Sequence, residues 1–231
     1  VGGLLVNFLL ALFIYSMVLF TWGVTYVPLQ KMTQGMEFNE QAKAIGFQDG
    51  DILISTNEKD FKKADADMYR MLCNAEEVHV LRHGKPVTIQ MPEGLSLVEM
   101  AQTIPTFVRP LLPAVIDSVI PDTPADKVGL LKGDKILAAN NQQVKSFYGF
   151  TDELTRMNDV LASAKTHADS INARLLTIVY QRGENIETTS TLLAEDLKLG
   201  YAPATLYEPT TFEYGFFESF PAGIKYGLGV L

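Results

Sequence analysis

The groups from which this chain could build a reactive or metal-binding site are few: three histidines, one cysteine and 27 acidic residues among 231. His79 and His83 stand four apart, a spacing that on a helix puts both imidazoles on one face, where they can share a zinc ion. The residues around them alternate apolar and polar and turn at Gly84, so the pair lies on extended chain. Four residues of strand separate the rings by roughly 13 Å, whereas zinc ligands sit about 2 Å from the ion, so no shared metal site is expected. His167 is far from both in sequence. Cys73, being alone, forms no intrachain disulfide, and its neighbours Met68, Met71 and Leu72 make it a core thiol. The chain has no His-Glu-x-x-His pair, no Gly-x-Ser-x-Gly turn and no phosphate-binding loop. Asn7 is a different case. An amide inside an apolar run must face a neighbouring helix, a water-filled cavity or a ligand, because hydrocarbon offers it no partner.

The elements around these residues begin with a membrane-type helix. Residues 1–30 carry no charge, and Leu4 to Val24 is almost continuously apolar, enough to cross about 30 Å of hydrocarbon with about 20 residues. Thr21, Trp22 and Tyr26 stand where an aromatic belt belongs, and Pro28 is expected to end the helix. A secretory leader would show a basic start and a small-residue cleavage site, and neither is present; Val1 in place of Met marks the chain as a fragment. The tail carries Tyr207, Phe212, Tyr214, Phe216, Phe217 and Phe220 among few charges, and Ser219 to Leu231 is expected to enter the bilayer as an amphipathic helix. The alternative is a helix capping the preceding domain. With 19 basic and 27 acidic residues the net charge is −8. Lys59, Lys62 and Lys63 alternate with Asp60, Asp65 and Asp67, a solvated face and not a nucleic-acid surface.

Between these ends one pattern occurs twice. Gly-Phe-Gln-Asp-Gly-Asp-Ile-Leu at Gly46 to Leu53 returns as Gly-Leu-Leu-Lys-Gly-Asp-Lys-Ile-Leu at Gly129 to Leu137. The offset of about 80 residues is a domain length, whereas solenoid units run at roughly 20–50. In each copy a glycine (Gly50, Gly133) precedes a strand and allows positive φ, and the following Asp can accept backbone N–H bonds across the turn. A second reversal follows at 57–60 and at 140–143. Then comes a helix, expected over Ala64–Cys73 and over Phe147–Ala164, and a hairpin turning at Gly84 and at Gly183. The second copy opens with a strand over Pro113–Ile120 and a helix start in which Thr123 is the N-cap and Pro124 takes N1. Met36–Ala44 is the less regular counterpart in the first copy and is also expected to be helical. Residues 158–172 lengthen the second copy with a solvated helical extension of unassigned role.

The order strand, Thr123-Pro124-Ala125, short helix, Gly129 to Leu137, Asn-rich turn, helix, hairpin resembles a bacterial PDZ domain of the circularly permuted type. The resemblance runs from Pro113 to Leu193 and, with a less regular opening, from Met36 to Met91. Two such domains after a span beginning Gly3-Leu4-Leu5-Val6-Asn7 resemble the regulator-of-sigma-E type (RseP-like) site-2 intramembrane zinc metalloproteases. In that family the second span opens Gly-Pro-x-x-Asn; here Gly3 and Asn7 are kept and Leu4 replaces the proline.

The resemblance implies an α+β chain: a transmembrane helix (1–27), a first PDZ-like domain (28–95), a linker (96–110), a second PDZ-like domain (111–200) and a juxtamembrane segment (201–231) leading to the next span. It implies a peptide-binding groove whose strand is Leu112, Pro113, Ala114, Val115 and Ile116 and whose helix presents Phe147, Phe150 and Leu154, residues that a core also needs. It implies that Asn7 and Gly3 line a proteolytic chamber; the alternative for Asn7 is an interhelical hydrogen bond. Zinc is expected in the full-length enzyme, on ligands outside these residues, so this part alone is expected to be inactive. The expected partners are the lipid bilayer and a single-span membrane protein already trimmed, gated by the PDZ pair as peptide binder or steric filter. The expected location is the bacterial inner membrane with the domains in the periplasm. The competing reading is a membrane-anchored, non-catalytic tandem PDZ scaffold.

Overall fold

The computed structural model describes residues 2–230 and forms two compact units, one of the residues up to Pro28 with those from Tyr207 on, the other of Leu29–Leu206. The chain opens with α1 (Gly2–Trp22). Over Leu5–Trp22 its mean hydropathy is 2.0, and apolar residues such as Leu5, Leu9, Phe13 and Val18 are exposed. A helix in a soluble core would bury them; this one is long and apolar enough to cross a membrane. It ends earlier than expected from Pro28. Gly23 takes φ 64°, its N–H closes on Leu19 O at 2.9 Å, and β1 (Val24–Tyr26) follows. That is a left-handed glycine C-terminus, which stops a helix wherever the glycine stands.

The second unit holds two modules. The first runs through β2 (Met36–Phe38), α2 (Glu40–Ile45), β3 (Ile52–Thr56), α3 (Ala66–Asn74), β4 (Glu77–Arg82), β5 (Lys85–Gln90), α4 (Leu97–Gln102) and β6 (Val108–Pro110). The stretch expected to be helical over 36–44 is helical from Glu40 on and strand over Met36–Phe38, because Asn39 caps α2 by accepting from Ala42 N at 2.9 Å and fixes the helix start after itself. Asp65 caps α3 in the same way. His83 and Gly84 both take positive φ, 48° and 77°, the two-residue turn that matches the twist of β4 and β5.

Residues 96–110 are not a linker. Phe107, Val108 and Met100 are fully buried, and β6 pairs antiparallel with β2, so this segment completes the first module.

The second module runs through β7 (Ile116–Val119), α5 (Pro124–Lys127), β8 (Lys135–Ala139), β9 (Gln142–Gln143), α6 (Phe147–Ala162), α7 (His167–Ala173), β10 (Leu175–Arg182), β11 (Asn185–Leu192) and β12 (Tyr201–Pro203). Its larger sheet has the order β11-β10-β8-β9, and β12 pairs with β7. One core gathers Ile116, Ile136, Phe150, Met157, Ile178 and Leu199. The two modules align with Leu53 opposite Ile136, both fully buried, one residue away from the match by letters of Leu53 to Leu137. Burial alternates along a strand, so the inward position fixes the register. Thr123 stands at the N-cap of α5 without capping it; its hydroxyl donates to Ile120 O at 2.6 Å and to Gly200 O at 3.2 Å. The extension over 158–172 is the end of α6 and most of α7, which opens with a capping box of Thr166 and Asp169.

The first unit closes with β13 (Thr210–Phe212), paired with β1, and α8 (Phe216–Val230), packed along α1. The expected helix over 219–231 starts one turn sooner. Small residues bring the two helices together: Ser16 and Ser219 are buried, and a Cβ on Gly223 would lie 2.3 Å from Ser16 Oγ. Phe13 meets Phe220 and Phe20 meets Phe216 at ring separations of 6.2 and 5.5 Å. Contact through small residues is how helices pack where lipid removes the hydrophobic drive. α8 thus packs with α1 in the first unit.

Candidate functional site

Each module is tied by the same set of bonds. In the first, Arg82 Nε and Nη2 donate to Asp51 Oδ1 and Oδ2 at 2.8 and 2.7 Å, Nη2 also to Gly46 O at 2.8 Å, and Gln48 N donates to Asp51 Oδ2 at 2.9 Å. In the second, Arg182 Nε and Nη2 donate to Asp134 Oδ1 and Oδ2 at 2.8 and 2.7 Å, Nη2 to Gly129 O at 2.7 Å, and Leu131 N to Asp134 Oδ2 at 2.8 Å. The Gly-Asp turn is thereby fastened to the hairpin tip. Burial pushes the Asp134 carboxyl up, but the Arg182 and Leu131 bonds outweigh it and hold the group below the usual carboxylate range. The aspartates were legible as turn acceptors. Their arginine partners were not, although an Arg precedes or opens each hairpin turn.

This frame positions a strand edge beside a helix. Ile120 N donates to Gly200 O at 2.9 Å and Ala204 N to Val115 O at 2.8 Å, so in the β12–β7 ladder the peptide groups of Gly200 and Ala204 face β7. Tyr201 and Pro203 stand at the alternate positions, and their peptide groups face away. β12 has β7 as its one strand neighbour among the described residues. Its outer edge therefore offers the N–H and carbonyl of Tyr201; one step before, the Leu199 carbonyl accepts from Ala125 N of α5 at 2.8 Å, and one step after, the register shifts between Ala202 and Pro203. The Tyr201 ring lies 5.8 Å from that of Phe150 and 6.5 Å from that of Phe147, so the strand runs against the start of α6. Leu154 is partly buried against the same core.

Two features mark this edge. The Tyr201 hydroxyl is buried with no hydrogen-bond partner among the described residues, and burial pushes its pKa well up. An unpaired buried hydroxyl costs about 1–3 kcal/mol, a cost that an incoming partner could remove. Gly200 takes φ 91° and leaves no room for a side chain, since a Cβ there would sit 2.2 Å from Thr123 Cβ.

Of the residues expected on the groove helix, Phe147 and Phe150 lie beside Tyr201, with Phe150 buried in the core, and Leu154 packs against that core. The expected strand is not the open one. Val115 O receives Ala204 N, Ala114 O receives Ile136 N, Ile116 N donates to Asp134 O, and Leu112 O receives Phe147 N; Pro113 stands within this run and brings no N–H. Leu112–Ile116 is bonded on both sides, and the chain's own β12 covers the edge assigned to a peptide. Residues 201–206 belong to the module, so the segment expected to lead to the next span starts at Tyr207 and not at Tyr201. The signal was Leu197, Leu199 and Tyr201 at period two, hidden by the lysine and glycine between them.

Elsewhere, Asn7 is exposed on α1. His79 is on β4 with Nδ1 3.1 Å from Thr88 Oγ1, His83 is in the β4–β5 turn, and His167 opens α7. Among the described residues no group of three or more His, Cys, Asp or Glu side chains is placed to hold a metal ion. Burial pushes the Cys73 thiol up, and its sulfur lies 3.2 Å from that of Met100.

A family model for the PDZ domain matches residues 115–168. The matched stretch runs from the start of β7 to the end of α6 and into α7, so the second module carries a PDZ domain, and β10 to β12 complete the sheet and edge around it.

Proposed function

We propose that this chain is the peptide-reading region of a membrane-anchored protein, in which an extended partner segment adds to the outer edge of β12 and sets its side chains against Phe147 and Tyr201. The observation that carries this is the single strand neighbour of β12 beside α6, the geometry by which sheet edges accept peptides. The orphan Tyr201 hydroxyl supports it. The first module, with its matching Gly-Asp-Arg fastening and its β6–β2 pair in the place of β12–β7, is a second domain of the same permuted PDZ kind. The partners are a protein segment and the lipid bilayer. For α1, the buried contact of Ser16 with Gly223 favours a resident span over a cleaved leader, because a leader has no reason to pack against a later helix.

At finer grain, the resemblance to site-2 proteases makes the reader a gate: it admits a single-span membrane protein already trimmed, for cleavage by a zinc metalloendopeptidase in a bacterial inner membrane, with the modules in the periplasm. Asn7 would line its chamber. Among the described residues no cluster of ligands forms a zinc site, and the zinc would be held by residues elsewhere in the full-length protein. A scaffold that only tethers peptide ends would use the same edge, and the PDZ match supports that reading, because it bears on peptide binding and not on proteolysis.

The test uses the full chain in detergent micelles and a pool of fluorescent decapeptides with free carboxyl ends. Saturable binding that Phe147→Arg abolishes, with β-sheet circular dichroism unchanged, is the expected result; equal binding by Phe147→Arg would place the site elsewhere. Gate and scaffold part in cells that express the parent protein with a tagged single-span substrate: cleavage lost in Phe147→Arg selects the gate, and intact, co-purifying substrate selects the scaffold.

A further inference from the structure

Strand β6 belongs to the first module by pairing and to the second by charge. Glu37 and Arg109 face each other across the β2–β6 ladder, and Arg109 Nε donates to Glu37 Oε2 at 2.8 Å. The other end of the guanidinium reaches α6, with Nη1 3.0 Å from Asp152 Oδ1 and Nη2 2.8 Å from Asp152 Oδ2. Ser146, the N-cap of α6, donates to Glu37 Oε2 at 2.5 Å, and the Tyr148 ring centroid lies 5.5 Å from the guanidinium carbon. Glu37, Arg109 and Ser146 are buried, and the three charged side chains line a cleft of about 350 Å³.

An arginine fork can satisfy two carboxylates at once in fixed geometry, which a lysine point charge cannot. Without it, two carboxylates would face each other with little solvent. α6 is held at both Ser146 and Asp152, and the turn between them carries Phe147 and Phe150. The geometry points to Arg109 as a positioning residue: the first module uses it to hold α6 against β12, and so fixes the helix wall of the second module's cleft. The inference rests on the peptide reading of that cleft only for its consequence on affinity.

The test is hydrogen–deuterium exchange on the full chain in micelles, comparing the wild type with Asp152→Asn and Arg109→Lys. Asp152→Asn removes the charge and one of the two bonds of the α6 leg and keeps the Glu37–Arg109 pair, so folding of the first module is not at stake. Amides of residues 147–154 and of β12 are expected to exchange at least about tenfold faster in both variants, with β10 and β11 unchanged. Unchanged exchange over α6 and β12 would overturn the inference, as would uniform acceleration that includes β10 and β11. No peptide enters that measurement. Adding the decapeptide pool then separates the two ideas: weaker binding by Asp152→Asn supports both, equal binding despite a loosened α6 overturns the consequence for affinity, and binding by no variant with α6 still loosened overturns the peptide reading while the clamp stands.

Discussion

At the residue scale, the buried polar groups make predictions of opposite sign. Asp134 is bonded by Arg182 and Leu131 and its carboxyl is held below its ordinary range. A depressed carboxylate contributes stability that is present above the unfolded value, about 3.9, and is lost as pH falls through the lower folded one. Asp134→Asn should therefore cost about 3 kcal/mol at pH 7, and the gap between the urea midpoints of wild type and variant should close as the pH falls below about 4. Tyr201 and Tyr69 form the contrasting pair. Tyr69 donates its hydroxyl to Val108 O at 2.5 Å, so Tyr69→Phe should cost about 1 kcal/mol, whereas Tyr201→Phe should be neutral or stabilising by up to about 1 kcal/mol. Urea titration of the two variants side by side checks the difference, and a Tyr201→Phe loss as large as that of Tyr69→Phe would show that the Tyr201 hydroxyl has a partner.

At the element scale, the glycines before β8 and β12 separate backbone conformation from space. Gly133 and Gly200 have nearly the same φ, 92° and 91°, but a Cβ on Gly133 meets nothing within 4 Å while one on Gly200 collides with Thr123. Gly133→Ala should cost about 1 kcal/mol of strain; Gly200→Ala should cost distinctly more and raise amide exchange in β12. Elements whose signal is local were legible in the sequence: the hairpins turning at Gly84 and Gly183, the Gly50 and Gly133 turns, and α6 from Phe150, Leu154 and Met157. Those that depend on distant partners were not. Nothing near Val108–Pro110 says that β2 will pair with it, and nothing near Leu112–Ile116 says that β12 will cover that edge. The arginines that fasten the turns stand at unequal distances from their aspartates, because α6 is longer than α3 and α7 is inserted in the second module alone, and unequal spacing hides a repeat.

On the scale of the whole molecule, the long apolar N-terminal run and the duplicated module were visible from composition and self-similarity, while the division into units was not. The pairing of α1 with α8 turns on Ser16, Ser219 and Gly223; Ser219 and Gly223 stand four apart, a small-residue spacing that marks a helix contact without naming the partner helix. Gly223→Leu should force the two helices apart and speed amide exchange in β1 and β13 of the same unit, while the unfolding free energy of residues 29–206 from urea titration stays within about 0.5 kcal/mol of wild type. Addition of a partner strand to the outer edge of β12 would shield one amide above all, that of Tyr201, so its exchange rate with and without saturating free-carboxyl decapeptides decides the matter. Strong slowing at Tyr201 with slower exchange over residues 147–154 is expected; an unchanged Tyr201 amide in a chain that demonstrably binds the peptides would rule out strand addition there.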